Sequence, residues 1–484
     1  MSETPALSEA QASAGGPAVT PSTEGKPHVL IVGGGLGGLM FAQLLDRAGI
    51  SYQVFERASK LRSLGSSMSV GANILPVFEQ LGMLEDIIKI SLPVKEQHLY
   101  EASMKKIGSL TMKDYKEITG YENRVFARPE LYELLLARVP AEKVLMNKKV
   151  LSIEQNTLGA MIRCADGTQY HGDIIVGADG AYSSVRQALY KKLDAKGALP
   201  KSDLESLSLG FITMVGVTRP MDPEKYPILK EGEVNFSQVI GGQYLSWRTF
   251  TISKNRICWN VSIQVANETE SKTLQFRNSE WGPESLESTI NMFKDFKAPV
   301  GGTMGELIEA TPKDLISKVF LEEKFFETWQ HGRTVLMGDA CHKMLLSAGQ
   351  GAVNAFQDAV ILANVISELE SKSAADIKAA LESYQEQRLP RARFEYMNSK
   401  MISRLMTGQK WSEKMMRQVV FNLPAWVRLR GFVKSAAYRP QASFLPLIEN
   451  RGTGFVLPQA PSHRTKQQSA AASTDEDTPA VVTV

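Results

Sequence analysis

The sequence predicts an α/β fold in which a parallel-sheet domain is interrupted by a mixed or antiparallel sheet and followed by a helical region. Three observations carry this. An all-apolar run, Val29 to Val32, leads into "GGGLGG", and a second short strand follows one helix later; strands buried on both faces read as continuous apolar runs. From about 207 to 318, apolar and polar residues alternate over short stretches such as "SLGFITMVGV" and "RICWNVSIQVA", the pattern of a sheet with one covered face. Beyond about 373 the chain turns to helical spacing in "SAADIKAALESYQEQRLPRARFEYMNSKMISRLM", read as a long helix interrupted near Pro390.

At 484 residues the chain is too long for one small core. A hydrophobic share of 43% and a charged share of 22% describe an ordinary globular protein. A net charge of +3 argues neither for nucleic acid nor for an anionic membrane as main partner; no nucleic-acid partner is expected. Cys164, Cys258 and Cys341 lie far apart, which excludes a disulfide framework or a CxxC-type metal site and fits a reducing compartment. Residues 1–27 and 462–484 are rich in Ala, Ser, Thr and Pro and are expected to be a disordered leader and tail. The leader has neither the basic and apolar regions of a secretion signal nor the Arg of a transit peptide. No stretch of 18 apolar residues runs unbroken, so no spanning helix is expected. The expected location is intracellular, cytoplasmic or peripherally membrane-associated.

Taken in order, the first element is the strand 29–32. Gly33, Gly35 and Gly38 then spell G-x-G-x-x-G. The first glycine permits the tight turn, the second lets a pyrophosphate approach the backbone, and the third lets helix pack on strand. Leu39, Leu44 and Leu45 give the helix an apolar face that ends at Gly49, and the next strand, Tyr52 to Phe55, finishes at Glu56. An acid there accepts hydrogen bonds from a ribose and disfavours a 2′-phosphate, so a Rossmann-like domain holding FAD or NAD is predicted. An NAD dehydrogenase would continue with further parallel strands. Instead come "RVFARPELYELLLARVP", where Arg128 and Pro129 open an amphipathic helix, and a hairpin series turning at Asp166-Gly167. The apolar strand "DIIVGADG" then enters "GADGAYSSVR".

The order G-x-G-x-x-G, an Arg before a helix, "GADGAYSSVR" and "GDACHKMLLSAGQGA" resembles the class A, single-component FAD-dependent monooxygenases over about residues 28–395. The stretches "ARPELYELL" and "GDACHKM" look most like the fungal paxilline-type members, which act on terpenoid and meroterpenoid skeletons. The resemblance implies that Gly33, Gly35 and Gly38 underlie the FAD pyrophosphate and that Glu56 binds the adenosine ribose. It implies that Arg128 contacts FAD near the pyrophosphate and ribityl chain. Asp179 and Gly180 match a motif shared between FAD and a transient NAD(P)H site, supported by Arg186. Asp339 matches the ligand of a ribityl hydroxyl, and Gly349, Gly351 and Ala352 match backbone beside the isoalloxazine. A helix opening at "GQGA" would turn unpaired N–H groups toward the flavin. The residues alone leave plainer alternatives: a solvated helix start at Arg128, a turn cap at Asp179, a strand-end acid at Glu56.

The implied activity is hydroxylation or epoxidation of a lipophilic terpenoid, meroterpenoid or aromatic molecule, with NAD(P)H and O₂ as co-substrates and a flavin C4a-hydroperoxide as oxidant. No protein nucleophile is required, so no catalytic side chain is assigned. A flavin oxidase or reductase on the same fold and a non-catalytic flavin-binding protein are the alternatives. Two departures stand out: Leu345 and Leu346 occupy the place of a usual Pro, and Val353 that of an Asn found here at Asn354. Losing the Pro is expected to loosen the loop facing the flavin. Cys341 and His342 are adjacent, so their side chains should diverge, with neither a nucleophile–base pair nor a metal site; His342 is expected to pack or hydrogen-bond near the cofactor. The expected domains are an FAD-binding part at 28–206, a substrate sheet at 207–318, a second FAD-binding part at 319–395 and a helical region at 396–461. Phe211, Phe236, Tyr244, Trp247, Phe250 and Trp259 are candidates to line the substrate cavity, most of them as ordinary core. The mixed apolar and basic stretch 412–440 is expected to pack on the FAD domain, with contact to a membrane surface as the alternative.

Overall fold

The computed structural model describes residues 25–59, 67–265, 283–345 and 349–458. Most of the expected leader, the tail and Leu346 lie outside these residues. Among the described residues the strands are β1 (His28–Val32), β2 (Ser51–Phe55), β3 (Ser67–Val70), β4 (Leu92–Glu101), β5 (Lys106–Thr111), β6 (Arg124–Ala127), β7 (Val144–Leu145), β8 (Val150–Gln155), β9 (Ala160–Cys164), β10 (Gln169–Gly172), β11 (Ile174–Gly177), β12 (Ser208–Val217), β13 (Val234–Ile240), β14 (Leu245–Ile252), β15 (Arg256–Gln264), β16 (Ser317–Phe325), β17 (Gln330–His331), β18 (Thr334–Leu336) and β19 (His342–Lys343). The helices that matter for the site are α1 (Leu36–Ala48), α2 (Arg128–Leu136), α3 (Ser184–Asp194), α4 (Pro283–Phe293), α5 (Met304–Glu309), α6 (Gly351–Ser367), α7 (Ala374–Thr407), α8 (Trp411–Asn422) and α9 (Ala425–Ala437).

A six-stranded sheet runs in the order β17-β18-β11-β1-β2-β7. Its centre is parallel, with Val29 opposite Ile174 on one side and Tyr52 on the other. Val29, Leu30 and Ile31 are wholly buried, as the apolar run required. Helices α1 and α6 pack together closely enough that a Cβ on Gly37 would sit 3.2 Å from the Cβ of Ala355. Strands β8, β9 and β10 form a separate antiparallel sheet, and Gly167 takes a φ of 84° in the connection between β9 and β10.

The large sheet has ten strands, ordered β19-β16-β12-β15-β14-β13-β4-β6-β3 with β5 on β4. It is mixed, since β13 and β4 run parallel. It also extends beyond 207–318: β3 to β6 come from residues expected in the first FAD-binding part, and β16 ends beyond 318. Local alternation shows that a strand exists but not which distant strand it joins. One face carries Met214, Val239, Trp247, Trp259 and Val261, packed with Phe293 of α4 and Met304 and Leu307 of α5. The opposite face carries Val217, Phe250 and Cys258 into the main core shared with the nucleotide-binding sheet.

Helix α7 runs unbroken through Pro390, contrary to the interruption expected there, and the expected boundary at 395/396 falls inside it. A proline removes one backbone hydrogen bond, but buried Tyr384, Arg388 and Ala392 fix the helix on both sides of it. After α9 the chain returns to the nucleotide-binding part, where Arg439 donates to Thr119 O at 2.8 Å and Gln80 donates to Ala442 O at 3.1 Å.

Candidate FAD site

The glycine loop after β1 is built by close approach. Gly33 has a φ of +112°, and a Cβ there would lie 2.3 Å from Ala178 O. A Cβ on Gly38 would lie 2.1 Å from Gly33 O. Gly35 differs: it is the extended N-cap of α1, without a side-chain cap, and a Cβ there would meet nothing within 4 Å. Two glycines thus hold the turn tight, while the third opens onto free space at a helix N-terminus, where unpaired N–H groups favour an anion.

Glu56 is fastened to this loop. Its Oε2 accepts from Gly34 N at 2.9 Å and its Oε1 from Ala58 N at 2.8 Å. Tyr132 of α2 donates to Gly34 O at 3.1 Å, a contact sequence reasoning missed although "ARPELYELL" contains it. Burial and then the Glu56 carboxylate push the Tyr132 phenol well up, against Arg128, so it remains a donor. Arg128 opens α2 and is reached by solvent, yet is surrounded by enough protein that burial lowers its pKa; the Asp339 carboxylate acts in the opposite direction.

Asp339 stands on the single turn Gly338–Ala340 after β18. Its Oδ1 is 3.9 Å from where a Gly351 Cβ would be, and its Oδ2 accepts from Lys343 Nζ at 2.7 Å. Gly349 has a φ of +64° and faces Ser69 of β3, while Gln350 Oε1 accepts from Asn73. Ala352 is half-buried. A continuous line therefore runs from Glu56 through the glycine loop, Tyr132 and Arg128 to Asp339 and the start of α6.

Asp179 has a structural duty as well. Its Oδ2 accepts from Ser184 N at 2.6 Å, Ser184 Oγ at 3.0 Å and Val185 N at 3.2 Å, which caps the start of α3. Its Oδ1 is buried without a partner among the described residues. Gly180 follows with a φ of 81°. Arg186 donates to Ala340 O at 2.8 Å and Ala181 O at 2.7 Å, tying this loop to the Asp339 turn.

Beneath the turn lies a buried network. Asp358 of α6 accepts from Gly338 N at 2.8 Å and Arg388 Nε at 2.7 Å, and hydrogen-bonds His342 Nε2 at 2.6 Å. Arg388 also donates to Asn354 Oδ1 at 3.0 Å, so the displaced Asn is held from α7. The expected divergence of Cys341 and His342 is wrong: ligand atoms of Cys341, His342 and Asp358 lie within 4.8 Å of one another. Cys341 ends a turn with φ −122° and ψ −21° rather than continuing a strand. The cluster is nonetheless a poor cation site, because the Arg388 cation already occupies Asp358. Burial keeps the Cys341 thiol well above its ordinary pKa, so it is no thiolate. Leu345 is buried against Phe211 and Leu321, and its carbonyl accepts from Ser399 Oγ at 3.1 Å. Leu345, one of the two positions where the Pro was expected, is therefore packed, while Leu346 and the loop up to Gly349 lie outside the described residues.

Of the six aromatics, Trp247 and Trp259 face away from the nucleotide-binding part; their indole N–H groups donate to Lys297 O at 2.9 Å and Thr311 Oγ1 at 2.8 Å. Phe236 and Phe250 pack edge to face on the opposite side, with centroids 4.5 Å apart. Tyr244 is exposed in a turn with φ 62°.

The family model described as "FAD binding domain" matches residues 26–399. The chain belongs to the FAD-dependent monooxygenases. It is 31% identical over 390 residues to the FAD-dependent monooxygenase ptmM of Penicillium ochrochloron, covering 78% of this chain and 89% of that one. It is 28% identical to ausM of Penicillium brasilianum, with 92% and 93% covered. Among solved structures, a point variant of Klebsiella pneumoniae HpxO with FAD superposes with a TM-score of 0.70 at 21% identity, covering 86% of this chain and 99% of that one, which supports the fold. The monooxygenase therefore uses FAD, and the residues present fit it: an open cradle at Gly35, a fixed acid at Glu56 and an orphaned carboxylate oxygen on Asp179.

Proposed function

We propose that this monooxygenase consumes NADH or NADPH and O₂ to hydroxylate or epoxidise a lipophilic terpenoid, meroterpenoid or aromatic molecule. The observation that carries the reading is the open glycine cradle, continuous with Arg128 and Asp339 and set beside one face of a large sheet. In this reading residues 28–206 and 319–395 hold the cofactor and the 207–318 strands bound the substrate. Gly33, Gly35 and Gly38 seat the pyrophosphate, and Glu56 takes the ribose hydroxyls. Arg128 supplies positive charge near the phosphates, Asp339 accepts from the ribityl chain, and Asp179 with Gly180 borders the nicotinamide's approach. The N–H groups opening α6 at Gly349, Gly351 and Ala352 face the ring and favour developing negative charge. Bound FAD supplies a ring that accepts a hydride and activates O₂; the protein positions substrate and excludes water.

Contact with a membrane surface belongs to this reading. Trp411, Met415 and Val419, spaced along one side of α8, are 77%, 56% and 59% exposed, and Trp426 of α9 is 61% exposed. Between 410 and 434 six basic residues, of which Arg417 is buried, stand against one acid, Glu413; the five others suit an anionic lipid surface. No helix among the described residues is long and apolar enough to cross a membrane.

The test is nicotinamide oxidation and O₂ uptake by FAD-loaded protein, with and without a panel of lipophilic alkenes and phenols. Stimulation with oxygen in the product is expected. Oxidation that no compound stimulates, ending in H₂O₂, would instead mark an oxidase, and unreduced flavin a binding protein.

A further inference from the structure

Strand register places five residues in one row across the large sheet. Gln238 stands opposite Arg248, Arg248 opposite Asn260, Asn260 opposite Val215, and Val215 opposite Ser317. Side chains alternate along each strand, so the row lies on the face opposite Trp247 and Trp259 and shares its face with Phe250 and Cys258. Two contacts place the cofactor site beside this face. Phe211, on the same side of β12, packs on Leu345, four residues before Gly349. Cys258 accepts from Ser67 N at 3.2 Å, and Ser69, on the same strand as Ser67, is the neighbour of Gly349.

The row is polar where a roof over an apolar substrate would be expected to be greasy. Gln238 Oε1, Arg248 Nε, Asn260 Oδ1 and Ser317 Oγ are all buried without hydrogen-bond partners among the described residues. Gln238 is wholly buried and Asn260 nearly so; the Gln238 amide nitrogen is anchored on Met406 O at 2.8 Å, which leaves its oxygen pointing elsewhere. Burial alone lowers the Arg248 pKa, to about 10, so the guanidinium is charged at neutral pH. A half-buried guanidinium whose Nε is left without a partner, and several unanswered amide and hydroxyl oxygens, are destabilising unless something else pairs with them.

We propose that this row is the head-group site for the substrate, taking the oxygen-bearing end of an otherwise apolar molecule. A carbonyl, carboxylate or phenolate oxygen accepts from Arg248, and a hydroxyl donates to Asn260 Oδ1 or to Gln238 Oε1. The inference rests on the monooxygenase reading of the cavity and names the class of molecule it selects: a lipophilic skeleton with a conjugated or acidic oxygen group, in preference to a plain hydrocarbon.

Equilibrium dialysis of the FAD-loaded protein with 3-geranyl-4-hydroxybenzoate and with geranylbenzene tests this without needing turnover. The oxygenated probe should bind tighter by about tenfold or more, the range of one or two charge-assisted hydrogen bonds. Arg248→Met should erase most of that preference while raising the thermal midpoint, because it removes a half-buried charge whose Nε has no partner, at similar volume; Arg248→Lys should keep part of the preference. Equal binding of the two probes, binding of neither, or a preference unchanged in Arg248→Met would overturn the proposal. So would a lowered midpoint in Arg248→Met, which would give the arginine a structural role. If the dialysed protein discriminates between the probes but never oxidises NADH or NADPH, the head-group site stands and the proposed reaction fails.

Discussion

Replacing Asp358 by Ala takes one carboxylate away from three donors. Arg388 and His342 are wholly buried, and both meet Asp358 within 2.7 Å. The substitution leaves the guanidinium charged in the interior, a change that costs about 3–5 kcal/mol when one partner of a buried pair is removed. It also frees Gly338 N, the first residue of the turn that carries Asp339, so FAD affinity should fall with stability. Urea unfolding of the apoprotein, followed by tryptophan fluorescence, measures the first effect without ligand linkage; Trp329 lies 5.2 Å from the His342 ring and reports locally. The double variant Asp358→Leu, Arg388→Met should recover much of the loss, since apolar replacements of a buried pair are often close to neutral. A loss below about 1 kcal/mol in Asp358→Ala, or a double variant as unstable as the two single losses added, would refute the reasoning.

The same carboxylate predicts acid sensitivity. Burial alone would raise its pKa, but His342 and Arg388 outweigh burial and hold it at about 2, against an ordinary 3.8. A folded pKa below the unfolded one gives stability present above pH 4 and lost as pH falls toward 2, worth about 2 kcal/mol; Asp358→Asn should flatten that part of the unfolding profile. Gly33→Ala should fail to accumulate as folded protein, because its Cβ would collide with the Ala178 carbonyl in a left-handed conformation. Gly35→Val, with open space around it, should fold normally by circular dichroism and yet bind no FAD. Trp411→Ser with Val419→Ser should abolish co-sedimentation with phosphatidylserine vesicles while leaving FAD content unchanged; unaltered sedimentation would remove α8 from the contact.

The nucleotide half was legible because its constraints are local. Gly33, Gly35 and Gly38 follow a strand and precede a helix within a few residues, and Glu56 ends the next strand, so spacing alone brings them together. What escaped the sequence is contact across long separations. Asp358 and Arg388 meet across 30 residues, and neither belongs to a pattern that periodicity would flag. β4 lies parallel to β13 although more than a hundred residues part them, and no local rule links the two. Pro390 read as a break because local propensity says so, and buried neighbours in α7 overrode it. The row from Gln238 to Ser317 shows only once register is known, since one polar residue in each of several strands looks like ordinary alternation.

The most direct test of the account is titration of FAD into deflavinated protein, wild type beside Asp339→Ala, with flavin fluorescence reporting binding and circular dichroism reporting fold. The account predicts saturation at one FAD per chain for the wild type and a large loss of affinity in a folded Asp339→Ala. A wild type that binds no FAD, or an Asp339→Ala that keeps it fully, would contradict it.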